Sequence, residues 1–187
     1  MAPSPDQWPR LQVWLASATV TVNGKTQHLP SEYPNTLGIS VTLDTGSPGS
    51  VLPLSMYNKL VELLGADPKT RQVSCKYIFK EKEGLTFSFM GFGGKHAHIW
   101  VPFRYMIQWG APQTPDCKLS FTPEEDCFRG GLQATCSWFG SDFLRAAYIY
   151  IDYDSLTVSM AQARYETPFT WGFDQTVERS QKSLGNH

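Results

Sequence analysis

The sequence predicts a mostly β domain with one main helix and a few short helical turns. Three observations carry this. Short runs of β-branched and aromatic residues are separated by turn residues. The 13 Pro and 15 Gly are spread along the 187 residues instead of clustering. One segment only, around residues 54–64, keeps an apolar period suited to a long helix. Apolar residues make up 41% of the chain, enough for one sizeable core, and the length suits a single domain. Charged residues are 18% with a net charge of −1, which excludes a basic nucleic-acid surface and a disordered chain. No apolar run is long enough to cross a bilayer as a helix.

The elements follow in order. "LQVWLASATVTVNGKTQHL" reads as a strand with Val20 and Val22, and Asn23-Gly24 turns it into a hairpin. "ISVTL" before Asp44 is the next strand. In "LPLSMYNKLVELLGADP", Met56, Leu60, Leu63 and Leu64 share a helical face, Gly65 stops the helix and Pro68 lies just beyond. "LTFSFM" alternates, with Leu85, Phe87 and Phe89 on one side. "HAHIWVPF" and "YMIQW" read as short strands. Residues 109–136, rich in Pro, Gly, charge and Cys, read as a long looped insertion. A helical turn near 143–146 leads to a final hairpin, in which Ile149 and Ile151 alternate with Tyr148 and Tyr150. Residues 1–9 read as a lead-in, 10–165 as the domain, and 166–187 as a polar, flexible tail.

The chemistry centres on "GISVTLDTGSPGSVLP". A strand delivers Asp44 to a turn, Gly46 permits close backbone approach, and Thr45 and Ser47 add hydroxyls. A single carboxylate is a poor catalyst of amide hydrolysis. Two carboxylates about 3 Å apart share a proton, so that one serves as base and the other as acid. Asp44 is the only Asp here followed by Thr/Ser-Gly, so its partner lies outside this sequence. Read alone, Asp-Thr-Gly-Ser is also a common turn. His96 and His98 fall on one strand face, but two imidazoles with no nearby Cys or acid are surface residues, and no metal is expected. "GFGGKH" lacks the spacing of a phosphate loop and reads as a hairpin turn. Glu124, Glu125 and Asp126 form a solvated loop. The opening residues lack a signal-peptide pattern. Cys75, Cys117, Cys127 and Cys136 contain no Cys-x-x-Cys and suit two disulfides, with three connectivities open.

"VTLDTGSPGSVLPLSMYNKLVELLGA" resembles the second active-site segment of pepsin-like aspartic peptidases, with a fungal flavour. "SWFGSDFLRAAYIYIDYDSLTVSMAQA" resembles their closing segment, and "LASATVTVNGKTQ" and "VPF" fit in order between residues 10 and 165. The resemblance implies a single C-terminal lobe of a two-lobed acid protease, without the first aspartate and the flap. Asp44 then matches the second catalytic aspartate, and Thr45 a residue whose hydroxyl reaches the other lobe. Gly46 supplies close approach, and Ser47 bonds the carboxylate. Trp138, Phe139 and Gly140 match the segment packed under the active-site loop. Two positions depart from the pattern. Pro48 replaces a Ser or Thr, and Ser141 replaces an acid, with Asp142 in a usually apolar place. The implied disulfide runs from Cys75 to Cys117, with Cys127 as the rival partner; the first pairing leaves Cys127–Cys136 to close a local loop.

The resemblance implies an aspartic endopeptidase acting on peptides or proteins, with no cofactor, no nucleic-acid partner and no membrane partner. Its second carboxylate would come from another lobe or from a copy of this chain. An inactive truncated remnant and a non-catalytic peptide-binding module are the other readings. Secretion or a vacuolar address follows from the family and the cysteines.

Overall fold

The computed structural model describes residues 11–30, 38–110, 116–124, 137–155 and 157–164. The expected lead-in and tail, the Glu125–Asp126 pair, Cys127 and Cys136 lie outside the described residues. The fold is mostly β with one main helix, as the sequence predicts.

Strands β1 (Gln12–Val22), β2 (Lys25–His28), β3 (Ile39–Leu43), β4 (Val51–Leu52), β6 (Gly84–Met90), β7 (His96–Pro102), β10 (Thr122–Pro123) and β11 (Trp138–Phe139) form one sheet. Its path is β10-β4-β11-β3-β1-β6-β7, with β2 folded back on β1. Strands β5 (Gln72–Val73), β8 (Ile107–Trp109) and β9 (Cys117–Leu119) make a small second sheet. Strands β12 (Ala147–Asp152) and β13 (Thr157–Gln162) pair only with each other.

In β3 the alternation is complete: Ile39, Val41 and Leu43 are buried and Ser40 and Thr42 are not. Long β1 changes phase. Leu15 is buried, then Ala18, Val20 and Val22, because its register against β6 shifts between Leu15 and Ser17. Such a bulge turns the following side chains to the other face. Asn23 and Gly24 both have positive φ (51° and 73°), as the hairpin turn requires. Phe87 and Phe89 meet Phe139 and Phe143 edge-to-face at 4.8–5.8 Å, and Phe139 stacks on Phe143 at 4.4 Å, which ties the closing segment to the sheet.

Helix α1 spans Leu54–Leu64. Its buried face is Met56, Tyr57, Leu60, Val61 and Leu64. Leu63 is only half-buried, since an 11-residue helix of 3.6-residue period turns Leu63 to the flank and brings Tyr57 and Val61 inward. Gly65 ends it at φ 61°, and its N–H reaches Glu62 and Val61 carbonyls.

One expected strand differs, and a 3₁₀ turn precedes it. Cys75–Phe79 is a 3₁₀ turn, and the expected strand "YMIQW" is divided. Phe103–Met106 forms a helical turn, α2, and only Ile107–Trp109 is extended. The expected loop 109–136 carries β9 and β10 within its described part. Helix α3 lies at Ser141–Leu144, two residues earlier than the turn expected at 143–146.

Cys75 and Cys117 form a disulfide with a Cα–Cα distance of 5.2 Å, the pairing implied by resemblance. It joins the 3₁₀ turn to β9. No helix among the described residues is long and apolar enough to cross a membrane. The final hairpin presents Tyr148, Tyr150 and Tyr153 outward, each more than half exposed.

Candidate active site

Asp44 stands where β3 ends. Its position depends on β11, which lies between β3 and β4, parallel to the first and antiparallel to the second. The Asp44 N–H donates to the Phe139 carbonyl at 2.9 Å, and the Thr42 N–H to the Ser137 carbonyl at 3.1 Å. The closing segment therefore sets the height of Asp44 above the sheet.

The turn is closed from within. The Gly46 N–H donates to Asp44 Oδ1 at 2.9 Å, and the Ser47 N–H reaches the Asp44 carbonyl at 3.3 Å. Charge-assisted bonds of the first kind orient a carboxylate. The Ser47 hydroxyl is directed elsewhere. It donates to the Gly49 carbonyl at 2.7 Å and accepts the Trp138 indole N–H at 3.1 Å. A hydroxyl has one proton, so the carboxylate is held by the Gly46 amide instead of by Ser47. Asp44 is half-buried, and Thr45, Gly46 and Pro48 are exposed. The site thus opens outward on the side away from the sheet.

The two departures seen in the sequence meet each other. The Ser141 hydroxyl donates to the Pro48 carbonyl at 2.9 Å, and the Ser141 N–H donates to the Ser47 carbonyl at 2.9 Å. Pro48 has no amide to offer a ligand, and its carbonyl is taken up by the fold. Gly140 lies in the same contact. A β-carbon there would come within 2.4 Å of the Gly49 carbonyl oxygen and 2.6 Å of that of Ser47. Phe139 is fully buried beneath the turn, and Trp138 is half-buried.

Below the loop lies a polar cluster that the sequence reading did not assemble. Asp142 is buried, 3% exposed. Its Oδ1 accepts from the Ser50 hydroxyl at 2.5 Å and from the Phe143 N–H at 2.8 Å. Its Oδ2 accepts from the Ser50 N–H at 3.1 Å and the Ser120 hydroxyl at 2.6 Å. The Ser50 hydroxyl in turn accepts the Gly140 N–H at 3.0 Å. Burial pushes the Asp142 carboxyl above its ordinary value, and the four hydrogen bonds pull against that. Asp142 stood out in the sequence as an acid in an apolar place. Nothing local marked Ser50 or Ser120 as its partners, which lie 92 and 22 residues away.

His96 and His98 stack at 6.2 Å on β7, and His98 Nδ1 lies 2.8 Å from the Ser88 hydroxyl. Among the described residues no group of three or more His, Cys, Asp or Glu side chains is placed to hold a metal ion.

Two comparisons bear on this arrangement. The family model described as "Eukaryotic aspartyl protease" matches residues 10–163. Aspartic proteinase 3 of Saccharomyces cerevisiae is 28% identical over 156 residues, which covers 79% of this chain and 24% of that protein. The chain therefore spans about a quarter of the length of the curated relative it matches.

Proposed function

Since the chain belongs to the eukaryotic aspartyl protease family, we propose that it supplies one lobe of an aspartic endopeptidase and that Asp44 is one of the two catalytic carboxylates. The observation that carries this is the Asp44 turn itself. One carboxylate oxygen is fixed by the Gly46 amide, the turn is anchored on Phe139, and the exposed side leaves space for a second carboxylate.

In this reading a water held between the paired carboxylates attacks the peptide carbonyl. The ionised member takes the proton from water while the protonated member donates to the carbonyl oxygen. The tetrahedral intermediate then collapses with protonation of the leaving amine. The second carboxylate comes from another lobe, on the same polypeptide or on a copy of this chain. Thr45, exposed at the turn, is the residue placed to reach that lobe. The substrate is a peptide or protein segment, and no cofactor is needed. The Cys75–Cys117 disulfide and the family together favour a secreted or vacuolar address.

The experiment is cleavage of a denatured protein at about pH 3–5, the range set by carboxylate pairs. The chain is assayed over a series of concentrations beside Asp44→Asn. Activity that rises more steeply than concentration and disappears in Asp44→Asn supports a centre built from two copies. Activity that appears only on adding a second lobe, and is again lost in Asp44→Asn, supports a half-site. Activity retained by Asp44→Asn overturns the assignment.

A further inference from the structure

Asp142 makes no hydrogen bond to Asp44, yet two of the four bonds to its carboxylate come from Ser50, on the loop that carries Asp44. Ser50 closes that loop, and both its N–H and its hydroxyl bind Asp142. Through the same hydroxyl Ser50 holds Gly140, whose backbone packs against the Ser47 and Gly49 carbonyls. Ser120, fixed at the far side, has two possible acceptors: Asp142 Oδ2 at 2.6 Å and the Met106 carbonyl at 3.1 Å. Its single proton can serve only one of them at a time.

That choice gives the cluster two complete hydrogen-bonding states. With Asp142 ionised, Ser120 donates to Oδ2, and the carboxylate accepts four bonds. With Asp142 protonated on Oδ2, its new O–H donates to the Ser120 oxygen, and the Ser120 hydroxyl turns to Met106. Oδ1 still accepts from the Ser50 hydroxyl and the Phe143 N–H, and the Ser50 N–H keeps the remaining lone pair of Oδ2. The proton comes from solvent, and no bond within the loop needs to break. The charged groups on the surrounding elements are Asp44 on the loop, Arg104 on α2, Glu124 beyond β10 and Arg145 after α3. None of them is among the causes that set the proton affinity of Asp142, which are burial and the four bonds.

We propose that Asp142 is the positioning residue of the Asp44 turn, and that Ser120 acts as a pivot which keeps the turn in place when Asp142 takes up a proton. The inference rests on Asp44 being the reacting end of the site. Its consequence is a catalytic loop whose geometry does not change across acid.

The test reads the turn, not peptide cleavage, so it fails independently of the peptidase assignment. The reporter is the Trp138 indole N–H, which donates to Ser47 in the turn. Its ¹H–¹⁵N resonance is assigned with Trp138→Phe and followed in the full chain from neutral pH into acid. The Asp142 carboxyl ¹³C is followed in parallel and assigned with Asp142→Asn. In the wild type the carboxyl signal should move through its titration while the indole signal stays at one position. In Ser120→Ala the protonated Asp142 must turn to Ser50, so the indole signal should move together with the carboxyl. A wild-type indole signal that tracks the Asp142 titration overturns the pivot, and this arm needs no variant to fold. An unmoved indole in folded Ser120→Ala overturns the role of Ser120. A cluster that only adds stability would lower the melting temperature in Ser120→Ala without linking the indole to the carboxyl.

Discussion

A β-carbon at Gly140 would lie 2.4 Å from the Gly49 carbonyl oxygen and 2.6 Å from that of Ser47. Both are backbone atoms of the Asp44 loop, so the clash cannot be relieved by a side chain moving aside. Gly140→Ala should cost about 2–3 kcal/mol, at the upper end of overpacking effects, read as a drop in denaturant midpoint. Asp142 carries a prediction of a different kind. Its folded pKa lies above the ordinary 3.8, so the folded chain binds the proton more tightly than the unfolded chain does. The stability contributed by protonation is fully present below the unfolded value and is lost as pH rises through the raised folded one. Relative to Asp142→Asn, which cannot titrate, the wild type should therefore gain melting temperature as pH falls through that window. A constant gap between the two melting curves would contradict this. At this scale the sequence announced the Asp44 turn plainly, because Asp-Thr-Gly-Ser is contiguous. It announced Asp142 only as an anomaly. Ser50 and Ser120 stayed silent, since a serine looks the same on a surface turn and beneath a loop.

The elements were legible where period and length agreed. Strand β3 alternates without fault, and α1 shows its helical period and its Gly65 stop. The errors came where two signals compete within a few residues. "YMIQW" is apolar enough for a strand, yet Pro102 starts a helical turn before the chain extends at Ile107, in keeping with the fixed φ of proline at a helix entry. The phase change in β1 depends on pairing with β6, so no periodicity count within β1 alone could locate it. Packing then decides the cost of change. Leu60 is fully buried in the middle of the inner face of α1. Leu60→Ala should destabilise the fold by about 2–5 kcal/mol. Leu63→Ala, on the half-buried flank, should cost distinctly less. Chemical denaturation of the two variants side by side checks the assignment of the helix face.

Over the whole molecule one covalent link matters most. The Cys75–Cys117 bond closes a loop of 42 residues and joins the 3₁₀ turn Cys75–Phe79 to β9. In the chain-entropy picture such a loop is worth about 3–4 kcal/mol, a large share of the about 5–15 kcal/mol by which domains are stable. Replacing Cys75 and Cys117 by serine should lower stability by that amount, and thiol reductants should destabilise the wild type more than the variant. Equal sensitivity of the two proteins would show that the bond contributes nothing.

The placement of β11 between β3 and β4 has a consequence in time. The turn that holds Asp44 is synthesised before the segment that anchors it: Phe139, Gly140, Ser141 and Asp142 secure it only after some 92 further residues have been added. At about 5–20 residues per second that interval lasts several seconds. A nascent chain on the ribosome therefore carries the Asp44 carboxylate on an unsecured loop until the Phe139–Asp142 segment has emerged. On the proposed peptidase reading, the site stays incomplete, and so inert, until that segment has been made.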